Sequence, residues 1–239
     1  MYKAFNSDLM IGVHQFEIGK TYESEEEFEV ESCVEMQDCF YQHDINSRIC
    51  EVIAEEIVDS KGQIISRKIT IIRELNKQEI IDRITDSKYA YYWAMEIGNH
   101  AVMIDRVTDS RWALWWAKKI GNHDVMIDRI TDSYYAYLWA KEIGNHDVMI
   151  DRVTESEGAY WWAKDIGNHD VMIDRVTDSY HAYLWARYIG NQAVMIDRIT
   201  ESEGAHWWAL NIGNHEVMLP RITDESQREE IERIIREKV

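Results

Sequence analysis

The sequence predicts an α+β protein: a small β-rich amino-terminal domain, then an α-solenoid of six 23-residue helix-pair repeats, then a polar carboxy-terminal capping helix. Three observations predict it. Six near-identical copies of one 23-residue unit fill the chain from Asp82 to Leu219, the third reading DRITDSYYAYLWAKEIGNHDVMI from Asp128 to Ile150. A fixed period of that size marks an array in which each unit buries its apolar face against its neighbours rather than alone. Residues 1–75 lack the period and carry β-branched runs, while residues 224–239 keep one apolar face amid charge. The expected boundaries are therefore 1–75 for the β-rich domain, 76–223 for the array and 224–239 for the cap.

Taken in order, the segments Arg48–Val58 (RICEVIAEEIV) and Gln63–Ile72 (QIISRKITII) flank Asp59-Ser60-Lys61-Gly62, a composition that suits a hairpin. Residues Asn76 to Thr85, NKQEIIDRIT, fit the second half of a unit and predict a half-repeat joining the two parts. Within each unit Gly98, Gly121, Gly144, Gly167, Gly190 and Gly213 follow an apolar-periodic run and precede an Asn. That reads as the C′ glycine of one helix meeting the N-cap of the next, so each unit is a helix pair. The first helix carries a stripe of Tyr89, Ala90, Trp93, Ala94 and Ile97. The second is expected from about His100 to Val107, with Val102, Met103 and Val107 facing inward. Thr-Asp-Ser or Thr-Glu-Ser turns the chain into the next unit, and Thr154 with Glu157, like Thr200 with Glu203, has capping-box spacing. A 46-residue alternation overlies the period: Trp115-Trp116, Trp161-Trp162 and Trp207-Trp208 alternate with Leu138-Trp139 and Leu184-Trp185. The last segment keeps Ile231, Ile234 and Ile235 on one face, the polar end that an open array needs for solubility.

Composition narrows the class. Ten Trp and thirteen Tyr against one Pro argue for a packed chain, because disordered chains are poor in aromatic residues. No positively charged leader precedes an apolar run at Met1 and no stretch approaches the roughly 20 apolar residues of a membrane span, so a soluble, cytoplasmic protein is expected. Three cysteines, Cys33, Cys39 and Cys50, are an odd number for a disulfide framework and are expected to be reduced. A net charge of −18 disfavours direct binding of nucleic acid and allows a basic partner. Residues 1–81 hold 17 acids against 8 bases, and their densest run, Glu23–Glu35, singles out Glu25, Glu26 and Glu27 as candidate binding residues.

The runs YKAF (Tyr2–Phe5), FEIGKTYE (Phe16–Glu23), RICEV (Arg48–Val52) and ITIIREL (Ile69–Leu75) resemble the amino-terminal domain of a family of uncharacterised phage-encoded proteins. In that family a compact domain precedes arrays of short repeats of several unrelated kinds. The YAYLWA core at Tyr135–Ala140 is similar to short helical repeats of phage proteins. The resemblance implies a phage or prophage origin and brings no known activity. The family often has Gly-Phe-His between its first two cysteines, where this chain has Val34-Glu35-Met36-Gln37-Asp38.

Asp-Arg recurs from Asp82-Arg83 to Asp197-Arg198, and at the far end Pro220-Arg221 keeps only the Arg. Adjacent helical residues do not face one another, so each Asp is expected to pair with the Arg of the following unit, from Asp82–Arg106 to Asp197–Arg221. The row His100, His123, His146, His169 and His215, broken by Gln192, is too widely spaced to share a metal ion and is read as first-turn and solvent-facing. Cys33, Cys39, His43 and Cys50 lack the close pairs of structural zinc sites, so buried thiols are expected and no metal or cofactor is invoked. Trp93, Trp116, Trp139, Trp162, Trp185 and Trp208 are read as core. Just outside that stripe, Tyr91, Tyr137, Tyr160, Tyr183 and His206 are placed at the surface as amphipathic binding positions. There is no phosphate-cradling loop, nucleophile elbow or zinc-protease helix, and no catalytic residue is assigned.

The expected function is that of a non-enzymatic interaction module. Its acidic solenoid binds a basic host macromolecule, and in the sharper form inhibits a CRISPR-like or restriction effector by occupying its nucleic-acid groove. The alternative is a structural or self-associating assembly protein, a reading favoured by the low variation between copies.

Overall fold

A computed structural model describes residues 1–11, 14–23, 30–41, 47–60 and 63–237. Two compact units make up the chain, Met1–Gly121 and Asn122–Val239.

The first unit opens with an antiparallel sheet. Its strands are β1 (Tyr2–Phe5), β4 (Thr21–Glu23), β5 (Val30–Ser32), β6 (Arg48–Ser60) and β7 (Gln63–Glu74), while β2 (Met10–Ile11) and β3 (His14–Gln15) form a separate two-stranded ribbon. The main order is β1-β6-β7-β4, with β5 also on β7. The predicted hairpin is present and longer than expected, because Ser60 pairs with Gln63 and only residues 61–62 lie between the strands. Period-two alternation sets the faces: Val52 and Ala54 are buried around an exposed Ile53, and Ile71 is buried beside an exposed Ile72. The core gathers Phe5, Leu9, Phe16, Cys50, Val52, Ile69 and Ile71. A bridge from Tyr2 to Cys33, through paired 2.8 Å hydrogen bonds, brings the chain after β5 back to β1.

Helix α1 (Lys77–Arg83) is fastened to this sheet. Asn76 caps it by accepting from the Glu79 amide at 3.0 Å, and the Glu79 carboxylate accepts from the Asn76 amide at 2.9 Å. Arg73 then links Glu51 at 2.8 Å to Glu79 at 2.6 Å. The first repeat follows as α2 (Ser87–Glu96) and α3 (His100–Met103), and α4 (Ser110–Lys119) is the last helix of this unit.

The second unit continues the pattern. It contains α5 (His123–Met126), α6 (Ser133–Glu142), α7 (His146–Met149), α8 (Ser156–Asp165), α9 (His169–Met172), α10 (Ser179–Tyr188), α11 (Gln192–Met195), α12 (Ser202–Asn211), α13 (His215–Met218) and α14 (Glu225–Glu237). The indole column is buried as expected, with Trp93 at 3% exposure and the five later tryptophans at 0%. In α14, Ile231 is fully buried and Ile234 and Ile235 are half-buried, so the polar cap uses the face read from sequence.

Three local expectations need correction. The second helix of each repeat is one α turn followed by a 3-10 turn, such as Ile104–Arg106, and this shortness turns Val102 outward while Met103 and Val107 stay buried. The Asn after each glycine makes no side-chain cap; Asn99 sits at φ 60° and Gly98 at φ 96°, so the pair is there for its left-handed backbone. The amide of Gly98 reaches the Trp93 carbonyl five residues back at 3.2 Å, closing the helix. The Thr capping boxes are one position out of register, because Glu155 and Glu201 are the N-caps of α8 and α12 and neither makes a side-chain cap. Asp fills that post elsewhere: Asp132 accepts from the Tyr134 and Tyr135 amides at 2.9 and 3.0 Å.

Candidate interaction surface

Surface available for binding is what remains after the joints between repeats are subtracted. The first joint is the repeat arginine. Arg152 donates through Nη1 to the carbonyls of Ile127 and, at 2.9 Å, Ile130, residues 25 and 22 positions earlier. Arg106, Arg175, Arg198 and Arg221 do the same to the equivalent carbonyls. Those carbonyls lie at the end of the preceding short helical segment, where the negative end of the helix dipole favours a cation, and the first of each pair also accepts the amide three residues on, as Ile127 does from Ile130 at 3.2 Å. The expected Asp partner is the lesser half of the joint: Arg152 to Asp128 is 3.5 Å and Arg198 to Asp174 is 3.4 Å, with the carboxylates 82% and 85% exposed. Arg83, left over in the sequence pairing, lies 3.5 Å from Glu51 and over the Tyr2 ring.

The second joint went unrecognised in the sequence. The buried serine that opens each first helix accepts two amides of the next repeat: Ser133 Oγ takes the Thr154 and Glu155 amides, both at 3.1 Å. Ser87, Ser156, Ser179 and Ser202 repeat this at 2.8–3.4 Å. At the first repeat Gln37 stands in, its Oε1 accepting from the amides of Thr85 at 3.3 Å and Asp86 at 3.4 Å. Phe40, from the same 3-10 turn (Met36–Tyr41), packs its ring 5.7 Å from Tyr89 and 6.2 Å from Trp93. The recurring sequence signal for this joint is the Ser after Thr-Asp or Thr-Glu, a composition that equally suits a turn.

Histidines form the third joint. His100, His146, His169 and His215 donate from Nε2 to the carbonyls of Ala94, Ala140, Ala163 and Ala209 at 2.9–3.1 Å, which fixes the Nε2–H tautomer when neutral. His146 and His169 also stand edge-on to Trp162 and Trp185 of the next repeat, 5.9 and 6.0 Å between ring centres. The row is solvent-facing at its outer edge and tied down at its inner one.

The aromatic positions proposed for binding are corrected by their burial. Tyr91, Tyr137, Tyr160, Tyr183 and His206 are 7%, 3%, 1%, 3% and 9% exposed. Each lies in the seam between consecutive first helices, a second buried face that the Trp stripe alone does not reveal. Tyr91 packs on Trp112, Tyr160 on His181, Tyr183 on Trp207, and His206 Nε2 meets Glu230 at 2.9 Å. Tyr137 donates to Asp165 while Lys141 reaches both, at 3.0 Å to the hydroxyl and 2.6 Å to the carboxylate. Burial, reinforced by Asp165, pushes the Tyr137 hydroxyl up to about 12. The same bonds, from Lys141 first and Tyr137 second, hold Asp165 below the usual carboxylate range. Glu25, Glu26 and Glu27 lie outside the described residues.

What does face solvent is different. One element is aromatic side chains under cations: in the first unit Lys118 lies over Trp115 at 4.8 Å, and in the second Lys164 lies over Trp161 at 4.7 Å and Tyr188 at 5.4 Å, with Arg187 over Tyr188 at 5.2 Å. The other is the valine of each short helix: Val102 in the first unit, and Val125, Val148, Val171, Val194 and Val217 in the second, are 42–46% exposed. Among the described residues no group of His, Cys, Asp and Glu could hold a metal ion, and His43 lies outside them. Cys33, Cys39 and Cys50 are buried and form no disulfide; a hydrogen bond to Cys33 and then burial raise the Cys39 thiol, and burial pushes Cys50 up to about 11. Such thiols are poor nucleophiles.

Residues 1–83 match the family model described as a domain of unknown function (DUF7666). The match ends on Arg83, the last residue of α1, in keeping with the ion pairs that bind this helix to the sheet. No curated protein and no solved structure matches the chain. No described helix is long and apolar enough to cross a membrane.

Proposed function

We propose that the protein is a non-enzymatic interaction module whose repeats present an acidic surface to a basic macromolecular partner. The observation that carries this reading is the assignment of polar groups. The Arg, Ser and His recurring in the repeats are consumed by backbone acceptors and amides at the joints, whereas carboxylates such as Asp128 and Asp174 stay more than 80% exposed. A repeat that spends its recurring arginine on main-chain carbonyls and leaves the neighbouring acid in water attracts positively charged surfaces and speeds encounter with them. The net charge of −18 sets the same sign for the whole chain.

In its finer form the reading makes the chain a phage-derived protein acting in the bacterial cytoplasm, occupying the basic nucleic-acid groove of a defence effector. The resemblance of residues 1–75 to phage-encoded domains and the acidity support that version. The near-identity of the copies favours a second reading, a self-associating assembly component. Affinity capture from a bacterial lysate at low and high salt tests these together. Salt-sensitive retention of a nucleic-acid-binding protein is the expected result; recovery of the bait alone, with concentration-dependent self-association, overturns it in favour of assembly.

A further inference from the structure

Within residues 122–239, Val125, Val148, Val171, Val194 and Val217 are 42%, 46%, 45%, 45% and 42% exposed, each on a one-turn helix whose methionine points inward. Nothing in the fold asks for valine there. It is a mediocre helix former, and at that exposure it adds little to the core. Yet the valine recurs while the residue before it changes from Asp124 to Ala193 to Glu216. An acid follows the valine by three positions in four of the five copies, as Asp128, Asp151, Asp174 and Asp197, with Pro220 in the fifth, and Asp128 and Asp174 stay 82% and 85% exposed beside the arginine of the next copy. Asp124 with Asp128, Asp147 with Asp151, and Asp170 with Asp174 give these copies two acids each, one on the short helix and one on the 3-10 turn that follows it. The edge therefore combines exposed aliphatic side chains with a negative field.

We infer that this edge docks a cationic amphipathic peptide segment, its aliphatic side chains on the valines and its lysines or arginines on the flanking carboxylates. The inference rests on the acidic-interaction reading above and names the partner's chemistry. A polyanion is repelled by the carboxylates, and a second copy of the chain brings the same negative charge to the contact. A purely hydrophilic cation leaves the valines in water. Only a partner with both properties satisfies the whole edge.

The test uses the full chain and a labelled synthetic helix-forming peptide of about five turns, leucine on one face and lysine elsewhere, with a control in which serine replaces leucine. Anisotropy titrations should show the leucine peptide binding about ten-fold tighter than the control. Val148→Thr with Val171→Thr, which keeps the β-branched shape, should abolish that preference with an unchanged thermal midpoint. Asp147→Asn with Asp170→Asn should weaken both peptides and flatten their salt dependence. Equal affinity for the two peptides, indifference to the valine pair, or a valine-dependent dimer in sedimentation would overturn the inference. If the valine variant still captures a basic lysate protein as the parent does, this inference fails and the broader reading stands; if no lysate protein is retained by either, the broader reading fails.

Discussion

Gly158→Ala probes the tightest point of the repeat stack. A Cβ at this position in α8 would lie 2.5 Å from Ser133 Oγ, 2.9 Å from the Ser133 carbonyl oxygen and 3.1 Å from its carbon. The hydroxyl can rotate, but only by giving up the Thr154 and Glu155 amides it accepts at 3.1 Å, and the backbone carbonyl cannot move without carrying α6 with it. Overpacking of this kind costs about 1–3 kcal/mol, and each buried amide left unpaired adds about 1 kcal/mol. Against this, alanine gains about 1 kcal/mol over glycine as a helix former. With both amides lost the net expectation is a loss of about 2–4 kcal/mol, a fall in thermal midpoint of roughly 4–16 °C for a chain of this size. Circular dichroism melts give the midpoint, and hydrogen exchange at the Thr154 and Glu155 amides localises the damage, since an array need not melt in one step. Gly204→Ala should cost less, because there the Ser179 carbonyl stands back at 3.4 Å and the nearest atom is its Cβ at 2.7 Å. A Gly158→Ala protein as stable as the parent, or one stabilised by the helix-propensity gain, would refute the close approach.

Other expectations follow from the same joints. Arg152→Lys should destabilise by about 1–3 kcal/mol because a lysine cannot hold both carbonyls in the guanidinium geometry, whereas Asp128→Asn should cost about 0.5 kcal/mol or less; denaturant melts that rank these two the other way would reinstate the ion pair as the main joint. Tyr137 ionises higher in the folded chain than in the unfolded one, so its contribution is complete below pH 10 and disappears as pH rises through about 12. Absorbance titration of tyrosinate should lose one late step, near pH 12, in Tyr137→Phe, and an unaltered curve would count against the Tyr137–Asp165 bond. Gln37→Ala should speed exchange of the Thr85 and Asp86 amides and cost about 1 kcal/mol, with the amides of Thr154 and Glu155 unchanged.

Periodicity made the array legible, and burial of the tryptophans followed from the i, i+4 spacing of apolar residues with no knowledge of neighbours. The long hairpin was equally visible in the alternation around Val52 and Ile71. Tyr137 and Tyr160 were misplaced because a helix's own stripe identifies one buried face, and the seam with the next first helix adds another. Val102 was misplaced because a continuous helix was assumed where the chain switches to a 3-10 turn after one α turn. The Arg and Ser joints were the least readable parts. Their partners are main-chain carbonyls and amides of another repeat, and a main-chain group has no identity in a sequence. Asp–Arg pairing drew attention because it joins two letters; the carbonyls that hold Arg152 more firmly have none.

That choice of partner bears on how such a chain changes length. Where adjoining copies grip one another through complementary side chains, inserting or deleting one leaves mismatched halves that need further substitutions. At the Arg and Ser joints each copy brings its own side chain and asks of its neighbour only peptide groups, which every copy supplies. Duplication or loss of copies should therefore leave these two joints sound, with Gln37 starting the Ser series and Ser202 ending it on the amides of Thr223 and Asp224. The number of copies is then free to drift with the dimensions of whatever the protein meets.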